Sequence, residues 1–301
     1  MRFGTALPGT QNMPDRPEWE RGDVGALVAV ARKADELGYA WLPCSDHVVI
    51  PQRYASSMGT MWYEPATTLA FVAGVTQRTR LLTHVLVLPY HNALQVAKQY
   101  STLDRLSGGR VILGVGAGHL RGEFRALGAP YEERGAATDE AVRAIRVLWS
   151  DDPATFHGER YDFWDVHLSP RPVQPHIPIW VGGNSRRAAR RAVELGDGWI
   201  PFELTFDELR ERIVYLRSLP RYERATPFDI VVPAGAVDLM DDAVDGARAP
   251  FNGSRQQIID DIAAYIALGA TGMTATFRAR SLDEHLEKLE SFAREIMPAF
   301  R

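Results

Sequence analysis

The sequence predicts a single (β/α)8 barrel spanning residues 1–301, and three observations carry that prediction. Eight short apolar runs recur along the chain, separated by segments with helical periodicity. The runs lack the strict alternation of half-solvated strands and read as strands buried on both faces, as in parallel sheets. Two of them, Arg110-Val-Ile-Leu-Gly-Val-Gly-Ala-Gly-His119 and Ile177-Pro-Ile-Trp-Val-Gly-Gly-Asn-Ser-Arg186, end in glycines immediately before a helix. An open doubly wound sheet is the competing architecture. Eight repeats in a chain of this length favour the closed barrel.

The elements follow in order. Arg2–Leu7 is the first strand. Val24, Leu27, Val28, Ala31, Ala34 and Leu37 share one helical face, and Gly38 stops that helix. Ala40–Pro43 is the second strand. A helix over Pro65–Thr76 precedes the third strand, Arg80–Leu88. The helix Leu94–Leu106 ends at Ser-Gly-Gly, and Val111–Val115 is the fourth strand. A short helix near Gly122–Leu127 and a long one from Glu133 to Trp149 come next. Asp151–Pro175 breaks the rhythm with Pro153, Pro170, Pro172 and Pro175 among Phe156, Tyr161, Phe163 and Trp164. It reads as an excursion with a small hairpin turning at His157-Gly-Glu. The pattern resumes with strand Ile177–Val181, helix Ser185–Leu195, strand Gly198–Pro201, helix Phe206–Leu219 and strand Phe228–Ala234. A polar stretch, Asp238–Gly253, leads to helix Arg255–Leu268, strand Gly272–Phe277 and a last helix carrying Leu282, Leu286, Leu289, Phe292 and Ile296. No low-complexity segment, interdomain linker or internal repeat interrupts this order.

Bulk properties narrow the function. A net charge of −4 and a pI near 6.1 give no basic field for nucleic acid or an anionic membrane. The only cysteine, Cys44, rules out an internal disulfide and points to the cytosol. Met1-Arg-Phe-Gly-Thr-Ala-Leu-Pro reads as a strand rather than a signal peptide, and no apolar run approaches membrane-spanning length. The expected partner is a small-molecule substrate in the cytoplasm.

In such a barrel, chemistry sits on the loops after the strands. The first loop carries Pro8-Gly-Thr-Gln-Asn12. The second carries Cys44-Ser-Asp46-His47 and, further on, Met61, Trp62 and Tyr63. The third carries Pro89, Tyr90, His91 and Asn92. Gly116, Ala117, Gly118 and His119 follow strand four, with Glu123 one turn later. Gly182, Gly183, Asn184 and Ser185 follow strand five, and the later loops add Phe202, Glu203, Phe277 and Arg278. Glycines before a helix start let backbone N–H groups approach an anion, so the two turns suggest a phosphate-bearing cofactor; ordinary tight turns are the other reading. Arg186 or Arg187 is placed to assist. His47 and His119 share the catalytic rim and are the candidate proton-transfer groups. Asp46, His47 and His119 lack HxH or HExxH spacing, so no metal is expected. Ser45-Asp-His is no serine triad, because neighbouring residues at a strand end point in different directions. Cys44 reads as a buried small residue.

At Leu37-Gly-Tyr, Ser45-Asp-His, Thr83-His-Val-Leu-Val-Leu-Pro-Tyr90, Leu103-Asp-Arg-Leu-Ser-Gly-Gly-Arg-Val-Ile-Leu-Gly-Val-Gly116, Glu123-Phe-Arg-Ala-Leu-Gly, Trp180-Val-Gly-Gly-Asn-Ser and Leu195-Gly-Asp-Gly-Trp, the chain resembles the luciferase-like flavin and deazaflavin oxidoreductases. It is most similar to the actinobacterial branch assigned to the deazaflavin coenzyme F420. The match runs from Met1 to about Phe202 and thins afterwards.

The resemblance implies an isoalloxazine-like ring at the C-terminal mouth of the barrel. It implies a bulge on strand three that backs this ring, with a non-proline cis peptide expected at Val85–Leu86 and neighbouring bonds as second choices. His84, Val85 and Leu86 would then line the cofactor, together with Asp46. The phosphate would rest on amides of Gly116, Ala117 and Gly118 and of Gly182, Gly183, Asn184 and Ser185. Related sugar-phosphate dehydrogenases place a histidine against the ring at the position of His47 and an acidic proton donor at that of His119. Their aromatic residue four positions beyond the motif histidine is Pro51 here, which argues against a sugar phosphate substrate. The expected activity is F420-dependent hydride transfer to or from a small organic substrate, with His119 as general acid or base and His47 polarising the substrate. An FMN-dependent monooxygenase using reduced flavin and oxygen is the alternative, and a non-catalytic cofactor-binding barrel is the alternative from another class. Homodimerisation is expected from the resemblance alone.

Overall fold

The barrel wall can be followed strand by strand in the computed structural model, which describes residues 1–10, 17–224 and 227–300. Gln11 and Asn12 of the first rim loop therefore lie outside the described residues. The strands are β1 (Arg2–Thr5), β2 (Trp41–Cys44), β3 (Arg80–Thr83), β4 (Leu86–Val87), β5 (Val111–Gly116), β6 (Ala154–His157), β7 (Asp162–Val166), β8 (Ile179–Gly182), β9 (Gly198–Ile200), β10 (Asp229–Met240), β11 (Asn252–Ser254) and β12 (Gly272–Phe277). The helices are α1 (Val24–Leu37), α2 (Ala55–Met58), α3 (Pro65–Ala73), α4 (Ala93–Ser107), α5 (Arg121–Leu127), α6 (Arg134–Ser150), α7 (Arg186–Leu195), α8 (Phe206–Arg217), α9 (Arg255–Leu268) and α10 (Leu282–Ser291).

Parallel ladders run in the order β1-β12-β10-β9-β8-β5-β3-β2, and the Ala40 N–H donates to the Phe3 carbonyl at 2.6 Å across the remaining gap. The eight predicted runs thus close into one (β/α)8 wall. Side-chain caps start several helices, and two end at glycines the sequence marked. Asp23, Asn92 and Ser185 accept hydrogen bonds from first-turn amides of α1, α4 and α7. Ser254 and Gln257 form a capping box on α9, and Gly38 and Gly108 end α1 and α4 in the left-handed conformation. Each N-cap contributes about 0.5–2 kcal/mol.

Two apolar layers result from the pleat. Phe3, Leu42, Leu81, Leu113 and Val181 face the helices. Trp41, Leu82, Ile112, Trp180, Ile200 and Val231 fill the interior of the barrel. Trp41 and Trp180 meet edge to face at 5.4 Å, and the Trp41 indole N–H donates to Thr274 Oγ1 at 2.9 Å. Glycines make room for these indoles: a Cβ on Gly4 would fall 2.0 Å from Trp41, on Gly272 2.5 Å from Trp41, and on Gly198 2.6 Å from Trp180. Removing a buried tryptophan side chain typically costs about 3–5 kcal/mol.

Asp151–Pro175 is the expected excursion. Strands β6 and β7 pair antiparallel as its hairpin, with cis prolines at Pro153 and Pro170. Asp104 accepts from the amides of Val173 and Gln174, and Glu140 accepts from those of Arg160 and Tyr161, so two carboxylates from α4 and α6 tie it to the barrel.

Three strand-level expectations need correction. The third run, Arg80–Leu88, is two strands, because Leu88–Tyr90 winds into a 3-10 turn and residues between Thr83 and Leu86 leave the ladder. The non-proline cis bond is His84–Val85, one position before Val85–Leu86 and among the neighbouring bonds expected as second choices; it falls where strand three leaves the ladder after Thr83. The seventh strand does not stop at Ala234. It bulges at Gly235, whose φ is +63°, and continues to Met240, where it pairs with β11 across the polar stretch Asp238–Gly253.

Candidate active site

The site begins at the break in strand three. Pairing with β5 runs Leu81↔Val111 and Leu82↔Ile112, then resumes as Leu86↔Val115 and Val87↔Gly116. Strand three therefore carries one residue more than its partner over this interval, which is a β-bulge. Gly114 is required opposite it, since a Cβ there would lie 1.9 Å from the Thr83 carbonyl oxygen. The bulge puts Val85 into the barrel, where Gly116 and Gly182 leave it space: their Cβ atoms would fall 2.7 and 2.8 Å from its methyl groups. Leu86, expected beside the cofactor, instead buries its side chain in the layer facing the helices.

The glycine spelling of the two turns is thus accounted for by packing. Gly118, with φ +73°, would carry a Cβ 2.6 Å from Val87 and 2.9 Å from Phe124. Gly183, with φ +118°, donates its N–H to Ile200, and Asn184 brackets Phe202 through both backbone groups. Ser185 caps α7, whose positive dipole end opens on the rim.

The loop after β2 carries Asp46 and His47, which serve different neighbours. Buried Asp46 accepts from the Val87 amide at 2.9 Å and pairs with His91 Nε2 at 2.8 Å, holding β4 and the turn after it against β2. His47 Nδ1 lies 2.9 Å from Glu123 Oε2, and its ring packs edge-on against Trp62 at 4.6 Å. His119 stands 6.3 Å from His47, ring to ring and nearly perpendicular. The two histidines that the sequence placed on one rim are therefore neighbours in space.

Glu123 is fully buried, and three donors and the His47 ring converge on it. Val48 N–H (2.7 Å) and Val49 N–H (3.2 Å) meet Oε1, while Tyr90 O–H (3.0 Å) and His47 Nδ1 meet Oε2. Burial alone raises its pKa. The hydrogen bond from His47 and those from the two amides outweigh that, so the carboxyl titrates below the usual glutamate range. Burial, then the neighbouring Glu123, push the Tyr90 phenol upward. The protein around His119, and then the charge of His47, hold its imidazole below the usual histidine range, with Glu123 opposing. Burial pushes His84 down to about 4, leaving it neutral, and pushes the Cys44 thiol up to about 12, so Cys44 is an inert core residue. Among the described residues, no group of three or more His, Cys, Asp or Glu is arranged to hold a metal ion.

Sequence reasoning missed the roles of Tyr90 and Trp62 and the convergence on Glu123. The available signal was Glu123 itself: an acidic residue one turn after a glycine turn, directly before the core residue Phe124.

Comparison with known proteins places this geometry. Residues 1–237 match the family model described as luciferase-like monooxygenase. An FMNH(2)-dependent dimethylsulfone monooxygenase of Pseudomonas putida is 32% identical over 160 residues, covering 52% of this chain and 44% of that protein. An F420-dependent glucose-6-phosphate dehydrogenase of Amycolatopsis mediterranei is 33% identical over 180 residues, covering 58% and 52%. The crystal structure of monooxygenase RslO1 from Streptomyces bottropensis superposes with a TM-score of 0.81 at 23% identity, covering all of both chains. No helix among the described residues is long and apolar enough to cross a membrane.

Proposed function

The chain belongs to the luciferase-like monooxygenase family, and from that premise we propose that it is an F420-dependent oxidoreductase, in which the deazaflavin supplies hydride chemistry at C5 towards a small organic substrate. The observation that carries this reading is the pair of imidazoles, His47 and His119, standing 6.3 Å apart beside the bulge of strand three. The residues present suit a planar ring bearing a phosphate. Val85 offers it an apolar surface above the Trp180 and Ile112 layer. The backbone of Ala117 and Gly118 after β5 and that of Asn184 and Ser185 at the start of α7 offer N–H donors to the phosphate. His84, neutral and next to Val85, lines the same wall.

The depressed pKa of His119 favours its unprotonated form, which leaves a ring nitrogen free to take the proton of a substrate hydroxyl in the oxidative direction. His47 orients and polarises that oxygen. Trp62 packs against the His47 ring at 4.6 Å and helps hold it in place. The apolar side chains exposed on the rim, Val48, Val49 and Phe202, favour an uncharged substrate over a sugar phosphate.

A second reading, an FMN-dependent monooxygenase, is favoured by the likeness to the dimethylsulfone enzyme. Titrating the purified protein with F420 and with FMN, following fluorescence quenching, separates the two. Tight F420 binding with weak FMN binding is the expected result. The reverse transfers the assignment to the monooxygenase, and binding of neither overturns both.

A further inference from the structure

We propose that Glu123 is a positioning residue that fixes the His47 ring with its Nδ1–H turned into the protein and its Nε2 turned to the reacting centre. This deepens the proposed function and rests on it for the identity of that centre, but the geometry stands on this chain alone.

The argument is one of donors and acceptors. An ionised carboxylate accepts at about four lone-pair positions and donates nothing. Glu123 meets four partners: two backbone N–H groups, the Tyr90 hydroxyl and His47 Nδ1. The amides can only donate. The carboxylate is fully enclosed and has no water to turn to. For the fourth contact to be a hydrogen bond, the hydrogen must sit on Nδ1. His47 Nε2, on the opposite edge of the ring, meets no donor or acceptor among the described residues, and His119 and Trp62 flank that ring. A neutral His47 therefore presents a lone pair to the mouth, and a protonated one presents N–H. The other titratable groups close by are Tyr90, already bound to Glu123, and the Asp46–His91 pair one residue back, which is closed on itself and on Val87. Tyr90 lies 33 positions from Glu123 and arrives from the turn that ends the bulged strand. The element that shapes the wall thus also steadies the carboxylate.

Nitrogen-15 NMR of the ring nitrogens in the ligand-free protein tests this, with the His47 signals assigned by their loss from a His47→Gln sample. At alkaline pH the wild type is expected to carry the His47 hydrogen on Nδ1. In Glu123→Gln the new amide donates toward Nδ1, so the hydrogen is expected to move to Nε2. In Tyr90→Phe, which keeps the carboxylate, it is expected to stay on Nδ1. A wild-type ring carrying hydrogen on Nε2, or a Glu123→Gln ring unchanged from wild type, overturns the proposal. The wild-type and Tyr90→Phe spectra decide the matter even if Glu123→Gln fails to fold. With cofactor and a substrate in hand, Glu123→Gln is expected to lower kcat about 10–100-fold while KM moves only a few-fold, the usual effect of removing a group that orients a histidine. An equal loss in KM with kcat unchanged overturns it. Because the NMR needs no cofactor, failure to bind F420 or FMN counts against the proposed function and leaves the tautomer result standing.

Discussion

The rim over β2 to β5 and the rim over β9 to β12 belong to one barrel but are built on different terms. On the first, Asp46, His47, Tyr90, His91 and Glu123 hold one another and the chain through short hydrogen bonds, with both carboxylates buried. On the second, Phe202 is 59% exposed and Met240 is 40% exposed, and the Arg278 carbonyl is engaged by Lys288 from outside the wall. Buried polar groups tolerate few arrangements because each needs a partner, whereas exposed ones are satisfied by water in many. The difference teaches that the polar geometry of one half of the mouth is fixed by the protein's own contacts. The other half is free to vary with what is admitted.

The largest effects should fall on the first half. His119→Ala is expected to lower turnover by about 10²–10⁴-fold with cofactor affinity within a few-fold, read by steady-state kinetics and cofactor titration. If turnover stays near wild type, the proton moves through another group and the two halves differ less than their geometry says. Gly114→Ala drives a Cβ into the Thr83 carbonyl and is expected to cost about 4 kcal/mol or more, seen as a collapse of the thermal transition or of soluble yield. A normal melt would mean that the bulge yields easily.

Gly118→Ala meets both a positive φ and contacts to Val87 and Phe124 and is expected to cost about 1–3 kcal/mol in chemical denaturation. Affinity for cofactor should fall with it, because the rim turn itself is displaced. A gentler probe is pH. The folded-state pKa of Glu123 is depressed, so its contribution to stability is complete above the ordinary glutamate range and is lost as pH falls through the lowered value. The amide resonances of Val48 and Val49 should shift together in that acid window, and resonances that stay fixed there would show that the carboxylate does not hold this loop. Smallest of all, Phe202→Ser is expected to change stability by no more than about 0.5 kcal/mol, since the bonds with Asn184 use only the backbone of Phe202. A marked change in KM from this variant would make the open rim a partner in substrate selection.

The wall itself was readable because strand and helix periods are local. Val111–Val115 and Gly272–Phe277 announced themselves by composition, and the excursion by its prolines and aromatics. The rim histidines were readable for a related reason: a strand end in a barrel fixes which loop a residue joins. What sequence could not supply was contact between distant segments. Nothing local tells Glu123 that Tyr90 and the amides after His47 will converge on it. Nothing local shows that Gly116 and Gly182 are small in order to admit Val85. Leu86 illustrates the same gap, because one extra residue in a strand reverses which face a side chain takes.

The indoles of Trp41 and Trp180 lie across the barrel axis with glycines pressed against them, so the lower half of the interior is solid. A molecule that reaches the level of Val85 has come in through the C-terminal mouth and has to leave by it. Two ligands sharing that mouth form a queue, in which whichever lies deeper is released last, so kinetics with two reactants should show a compulsory order of addition rather than independent binding.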